Sequence, residues 1–126
     1  MGKLLVEELK KEDDLEIMAV GTNSSAAAAM KKAGAMQAAA GENSVLVACR
    51  KADVIIGAVG IAVADSLLGE ITPAMAVAVG QSSAVKILIP VNKCDILIAG
   101  CTSKSVSALV QDAVEKVRAL RKKNNA

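Results

Sequence analysis

The sequence contains no phenylalanine, tyrosine, tryptophan or histidine. Each absence removes a class of chemistry. Without histidine there is no Ser-His-Asp triad, no Cys-His dyad and no imidazole metal site. Without aromatic rings there is no stacking platform for single-stranded nucleic acid. The core has to be assembled from Ala, Val, Ile, Leu and Met, which bury less area each than a ring does. A partner surface is therefore expected to add stability. Long apolar runs are missing too. The longest, Val54 to Ala64, is bounded by Asp53 and Asp65 and falls well short of the ~20 residues of a membrane span. It reads as a buried strand and its continuation. The N-terminus has no apolar core ahead of a cleavage site, so no secretory signal is expected.

What is present suits one domain. The chain has 126 residues, 53% of them hydrophobic, and 15 basic residues against 13 acidic give a net charge of +2. That balance argues against nucleic acid as a partner. The basic stretch RALRKKNNA reads as a solvated helix end, where cations are favourable, and alternatively as a short tail for an acidic partner. Cys49, Cys94 and Cys101 are odd in number and lack CxxC spacing, which points to a reducing cytoplasm. They read as buried free thiols rather than metal ligands, and Met18, Met30, Met36 and Met75 read as core filler.

Helical and extended patterns alternate. Lys3–Lys11 is amphipathic, with Leu4, Leu5 and Leu9 on one face and Glu7–Lys11 as an i,i+4 pair. Leu15–Val20 reads as a strand. Gly21-Thr22-Asn23-Ser24 turns into a helix over Ser25–Lys32, stopped at Gly34. AMQAA is a short strand. A helix over Ser44–Lys51 follows Gly41-Glu42-Asn43. Asp53–Gly57 is a strand of the continuously apolar type that parallel sheets need. Gly57 and Gly60 mark a close backbone approach or an irregular strand end. Thr72-Pro73 is an N-cap followed by proline at the first helical position, and its helix reaches about Val79. Lys86–Pro90 is a strand, VNKCD a turn, and Ile96–Ala99 a last strand. Ser105–Arg121 is a long helix with Val106, Leu109, Val110, Ala113, Val114 and Val117 on one face. The alternation predicts an α/β fold with a mostly parallel sheet flanked by helices.

In such sheets ligands bind beyond the carboxyl ends of strands. Gly21, Thr22, Asn23 and Ser24 fall there, as do Gly57, Gly60, Asn92 and Lys93, with Glu42, Asn43, Asp65 and Glu70 as neighbours. Hydroxyls and amides at a helix start can hold an anion or a sugar phosphate, or can simply cap the helix. Glu42 suits a ribose hydroxyl or a general base, and equally a favourable helix-dipole contact. Asp65 and Glu70 can divide acid and base roles or be ordinary loop acids. Lys93 can meet a phosphate or carboxylate as a point charge or sit in a plain turn. Neither GxGxxG nor a Walker A sequence is present.

At GTNSSAAAAMKKAGA, GEN, ADVIIGAVGIAVADSLLGEITPAMA and KILIPVNKCDILIAG the chain resembles a bacterial family, domain of unknown function 3842. The resemblance runs from Gly2 to about Val117. It implies a small Rossmann-like domain without an established activity. It also implies a strand and a glycine-rich turn ahead of the helix GKLLVEELKK, so that Met1-Gly2-Lys3 corresponds to the end of that turn and Met1 to an internal methionine. Ala58 and Asp65 depart from the family's commoner Pro and Asn. The fold expected is thus Rossmann-like and lacks its first central strand, and this chain alone is expected to bind a dinucleotide poorly and to self-associate.

Three functions fit these residues. One is binding of a nucleotide, NAD(P) among them, or of another phosphorylated or carboxylated small molecule. The second is acid–base catalysis in the same place by Glu42, Asp65, Glu70 and Lys93. The third is a non-catalytic homo-oligomeric module. No nucleic acid, membrane or metal is expected to be involved.

Overall fold

The computed structural model describes residues 1–91 and 95–125. Asn92, Lys93 and Cys94, and with them most of the predicted VNKCD turn, lie outside the described residues.

Elements follow in the order α1 (Gly2–Leu9), β1 (Met18–Gly21), α2 (Ser24–Ala33), β2 (Gln37–Ala40), α3 (Glu42–Lys51), β3 (Val54–Ala58), α4 (Pro73–Gln81), β4 (Val85–Ile89) and α5 (Val106–Asn125). The class is α/β. The strands form two separate parallel pairs, β1 with β2 and β3 with β4, each joined through a helix. Parallel neighbours require such crossovers.

Two helix faces cover the pairs. On one, α1 lies against α2 and α5; on the other, α3 packs on α4. The main core joins Leu5 and Leu9 of α1, Ile87 and Ile89 of β4, and Val110, Ala113, Val114 and Val117 of α5. Leu15 and Ile17, just ahead of β1, and Val54 and Ile56 of β3 pack against it, so the entry to β1 and the β3–β4 pair share one apolar interior. A second cluster of Val6, Ala19, Ala33 and Ala35 fixes α1 and α2 over β1. Its members are small because helix and strand approach closely.

The structure corrects several expectations. Ile96–Ala99 is not a strand: its apolar side chains are right for one, but no neighbour pairs with it among the described residues. The run from Val54 does not stay buried. After β3 it tightens into a 3-10 turn over Val59–Ala62, and Val63 and Ala64 are exposed. Lys11 pairs with Glu8 at 3.2 Å rather than with Glu7, because α1 ends at Leu9 and its cap Lys10 turns the chain. Met18 and Met36 are exposed, 41% and 60%, whereas Met75 is buried. Val106 opens α5 on the exposed side. Cys49 is buried and Cys101 exposed. The basic end of α5 is only partly a solvated end. Arg118 donates to Glu12 in the loop after α1, and Arg121 forms an ion pair with the same carboxylate at 3.6 Å.

Candidate functional site

The parallel register brings the carboxyl ends of β1 and β2 side by side, with Gly21 opposite Ala40. Two of the predicted turns therefore meet there, Gly21-Thr22-Asn23-Ser24 and Gly41-Glu42-Asn43. The ends of β3 and β4 form a second meeting point, with Ala58 opposite Ile89.

At the first turn the side chains divide into two groups. Asn23 is the N-cap of α2, and its Oδ1 accepts from the Ala26 N–H at 2.9 Å. Gly21 has a packing reason for its missing side chain. A Cβ there would lie 2.7 Å from the Ala27 nitrogen and 2.9 Å from the Asn23 oxygen, backbone atoms that have no room to yield. Thr22 and Ser24, by contrast, have no hydrogen-bond partner among the described residues.

The second turn is more open. Gly41 caps α3 at φ 103 with no side-chain cap, and a Cβ there would meet nothing within 4 Å. Among the described residues, the N–H groups of Glu42, Asn43 and Ser44 find no acceptor outside the helix. Ser44 is turned away, its hydroxyl donating to the Ala40 carbonyl at 3.1 Å, and Asn43 is exposed. Glu42 occupies the first turn, where its charge suits the helix dipole.

Glu42 also links the two meeting points. The Thr72 hydroxyl donates to Glu42 Oε1 at 2.5 Å and accepts from the Met75 N–H at 3.2 Å. Thr72 is the N-cap of α4, so one hydroxyl ties the starts of α3 and α4 together. Val45 packs behind this tie against Ile71, Met75 and Ala76. The Thr72-Pro73 signature identifies the cap in the sequence; its partner Glu42 carries no local signal.

Between β3 and α4 the chain makes a strained loop. Asp65, Leu67 and Leu68 take left-handed φ values of 66, 55 and 57, followed by Gly69 at 84. Each such non-glycine residue costs about 1 kcal/mol or more. The loop is held by the Asp65 N–H on the Ile71 carbonyl at 2.7 Å and by the Ser66 hydroxyl on the Gly60 carbonyl. Buried Gly60 lies so near Ser66 that a Cβ would stand 3.0 Å from its Oγ. Sequence reading passes over Ser66, since nothing local marks its contact. Asp65 and Glu70 are both exposed at the two ends of this loop. Leu68 is fully exposed.

Two open grooves lie elsewhere. A groove of about 470 Å³ runs between β4 and α5, and another of about 440 Å³ lies between α2 and β2. At the strand-end turns, Asn23, Ser24, Glu42 and Asn43 are exposed. Among the described residues, no cluster of three or more His, Cys, Asp and Glu side chains is spaced for a metal ion. No described helix is long and apolar enough to cross a membrane.

No curated protein and no solved structure matches the chain. The family model described as domain of unknown function (DUF3842) matches residues 1–122, and the chain belongs to that family.

Proposed function

We propose that the chain is a Rossmann-like domain that binds a phosphorylated small molecule, a nucleotide in the first instance, across the carboxyl ends of β1 and β2. The observation that carries this reading is the pairing of Gly21 with Ala40. It sets two helix starts side by side, one with free polar side chains at Thr22 and Ser24 and one whose first N–H groups after Gly41 find no acceptor outside the helix among the described residues. A helix start with such groups favours an anion. Glu42 beside it disfavours a second anion and suits a hydroxylated part such as a ribose. A nucleotide carries both kinds of group.

The wider reading treats the two strand pairs as halves of one doubly wound sheet, with the central position between β1 and β3 open. The shared core under α1 and α5 supports it. So does β3, which is apolar throughout yet only half-buried over Val54–Gly57. Two exposed helix starts enclose little of a ligand, so affinity is low, with Kd on the order of 1 mM, or about −4 kcal/mol.

Titration of the chain with NADP, ATP and inorganic phosphate, followed by amide chemical shifts, tests the proposal. Shifts are expected at Gly21–Ser25 and Gly41–Ser44. Glu42→Gln is expected to weaken the nucleotides while leaving phosphate no weaker. Equal effects on all three probes, or none, contradict the assignment.

A catalytic reading of the same region draws on the strained loop, because strain is often held at working sites. Asp65, Glu70 and Glu42 would then supply acid and base. Turnover of a bound nucleotide that Glu42→Gln abolishes without changing its affinity separates catalysis from binding.

A further inference from the structure

The groove between β4 and α5 carries an inference independent of the ligand site. Its floor is the apolar stripe of Leu109, Ala113 and Leu120 on α5, and its wall is the outer edge of β4. The Val85 N–H donates to the Asp53 carbonyl at 3.0 Å, so Val85 faces β3 with its backbone groups. Alternation along a strand then turns the N–H and C=O of Lys86 and Leu88 outward. Pro90 follows without an N–H and ends the edge. The edge therefore offers pairing for one short strand of about four residues. Val85 and Leu88 beside it are 48% and 37% exposed.

The same chain displays a segment of matching length and chemistry. Ile96–Ala99 is apolar and rich in strand-forming residues, yet Leu97 is 93% exposed and Ile98 37%. Its one backbone hydrogen bond among the described residues is the turn from the Cys101 N–H to the Ile98 carbonyl at 3.1 Å. An apolar segment with no strand partner among the described residues and a strand edge with outward backbone groups are complementary halves of a β-ladder. Within one chain no backbone bond joins them among the described residues. The Val91 N–H folds back on the Ile89 carbonyl at 2.8 Å and turns the chain off the end of β4. A second copy carries no such tether.

We propose that Ile96–Ala99 of one copy adds as an edge strand to β4 of a second copy, over the β4–α5 groove, and that the exchange is reciprocal. A two-fold dimer then buries two such contacts. The charges agree: Lys86, Lys116 and Lys123 line the groove against a single acid, Asp112, which is already paired with Lys116 at 2.7 Å. The incoming segment brings the carboxylate of Asp95.

Light scattering after size exclusion of the full chain tests this. The expected mass is twice 12.8 kDa at high concentration, falling to one chain in Leu97→Lys and in Leu88→Lys. Leu68→Lys, in the strained loop, is expected to leave the dimer intact. A monomer at every concentration, or a dimer that survives both Leu97→Lys and Leu88→Lys, overturns the proposal. Circular dichroism checks that the variants fold. If they do not, the unaltered protein decides, through contacts between methyl groups of labelled and unlabelled chains. Contacts from Leu97 or Ile98 to Val85 or Leu88 between chains support the exchange. The same contacts confined to one chain, or none, overturn it.

Discussion

At the scale of single residues, Thr72 is the most consequential side chain in the candidate site. Its hydroxyl caps α4 and holds Glu42 at once. Thr72→Ala removes both bonds and is expected to cost about 1–2 kcal/mol, a fall in Tm of roughly 4–8 °C. Thr72→Ser keeps the hydroxyl and should recover most of that. Equal melting of the two variants would mean that the hydroxyl contributes nothing. Cys49 and Cys101 offer a second residue-scale contrast. Burial pushes the Cys49 thiol above its ordinary value of 9.0, with Lys86 opposing, and only the thiolate reacts. Peptide mapping after alkylation at pH 8 should find Cys101 modified in the folded protein, and Cys49 only after denaturation. The linkage has a definite sign. Well below pH 9.0 the Cys49 thiol stays protonated in both states and changes nothing. Above it the unfolded chain ionises more readily than the fold, so stability falls as pH rises. That loss should vanish in Cys49→Ala.

At the scale of elements, what the sequence reveals depends on how local the cause is. Helix starts at Asn23 and Thr72 and the stop at Gly34 are legible, because a cap and the groups it satisfies lie within a turn of each other. The four strands that pair are legible from their apolar runs. Ile96–Ala99 has the same composition and fails to form a strand, because a strand exists only with a neighbour and composition says nothing about the neighbour. The ion pairs of Glu12 belong to this scale. Sequence reading sees the end of α5 as solvated. The fold instead sets Arg118 and Arg121 on Glu12, fastening α5 to the exit of α1. Hydrogen bonding to Glu12 raises the Arg118 guanidinium further above its ordinary value. Glu12→Gln is expected to cost up to about 1 kcal/mol, and the difference should shrink in high salt as the charges are screened. A loss unchanged by salt would assign Glu12 a packing role instead.

At the scale of the whole molecule, the described strands stand as two parallel pairs, and the chain has no aromatic side chain to cover their edges. Small side chains let α1, α2 and β1 approach closely around Ala19, Ala33 and Ala35, but they leave strand edges with little to cover them. The candidate site was half legible on these terms. The turns after β1 and β2 could be named from the sequence, since both follow a strand and open a helix. Their meeting could not, since it depends on the β1–β2 register, and neither could the Glu42–Thr72 tie between distant turns. Asp65 and Glu70 could be named as neighbours of the site, but the left-handed loop that separates them has no signature apart from Gly69.

The most direct measurement is the amide titration with NADP, ATP and phosphate. The account predicts saturable shifts concentrated at Gly21–Ser25 and Gly41–Ser44, with Glu42→Gln weakening the nucleotides alone. Shifts confined to the β4–α5 groove, or no shifts at millimolar nucleotide, would contradict it.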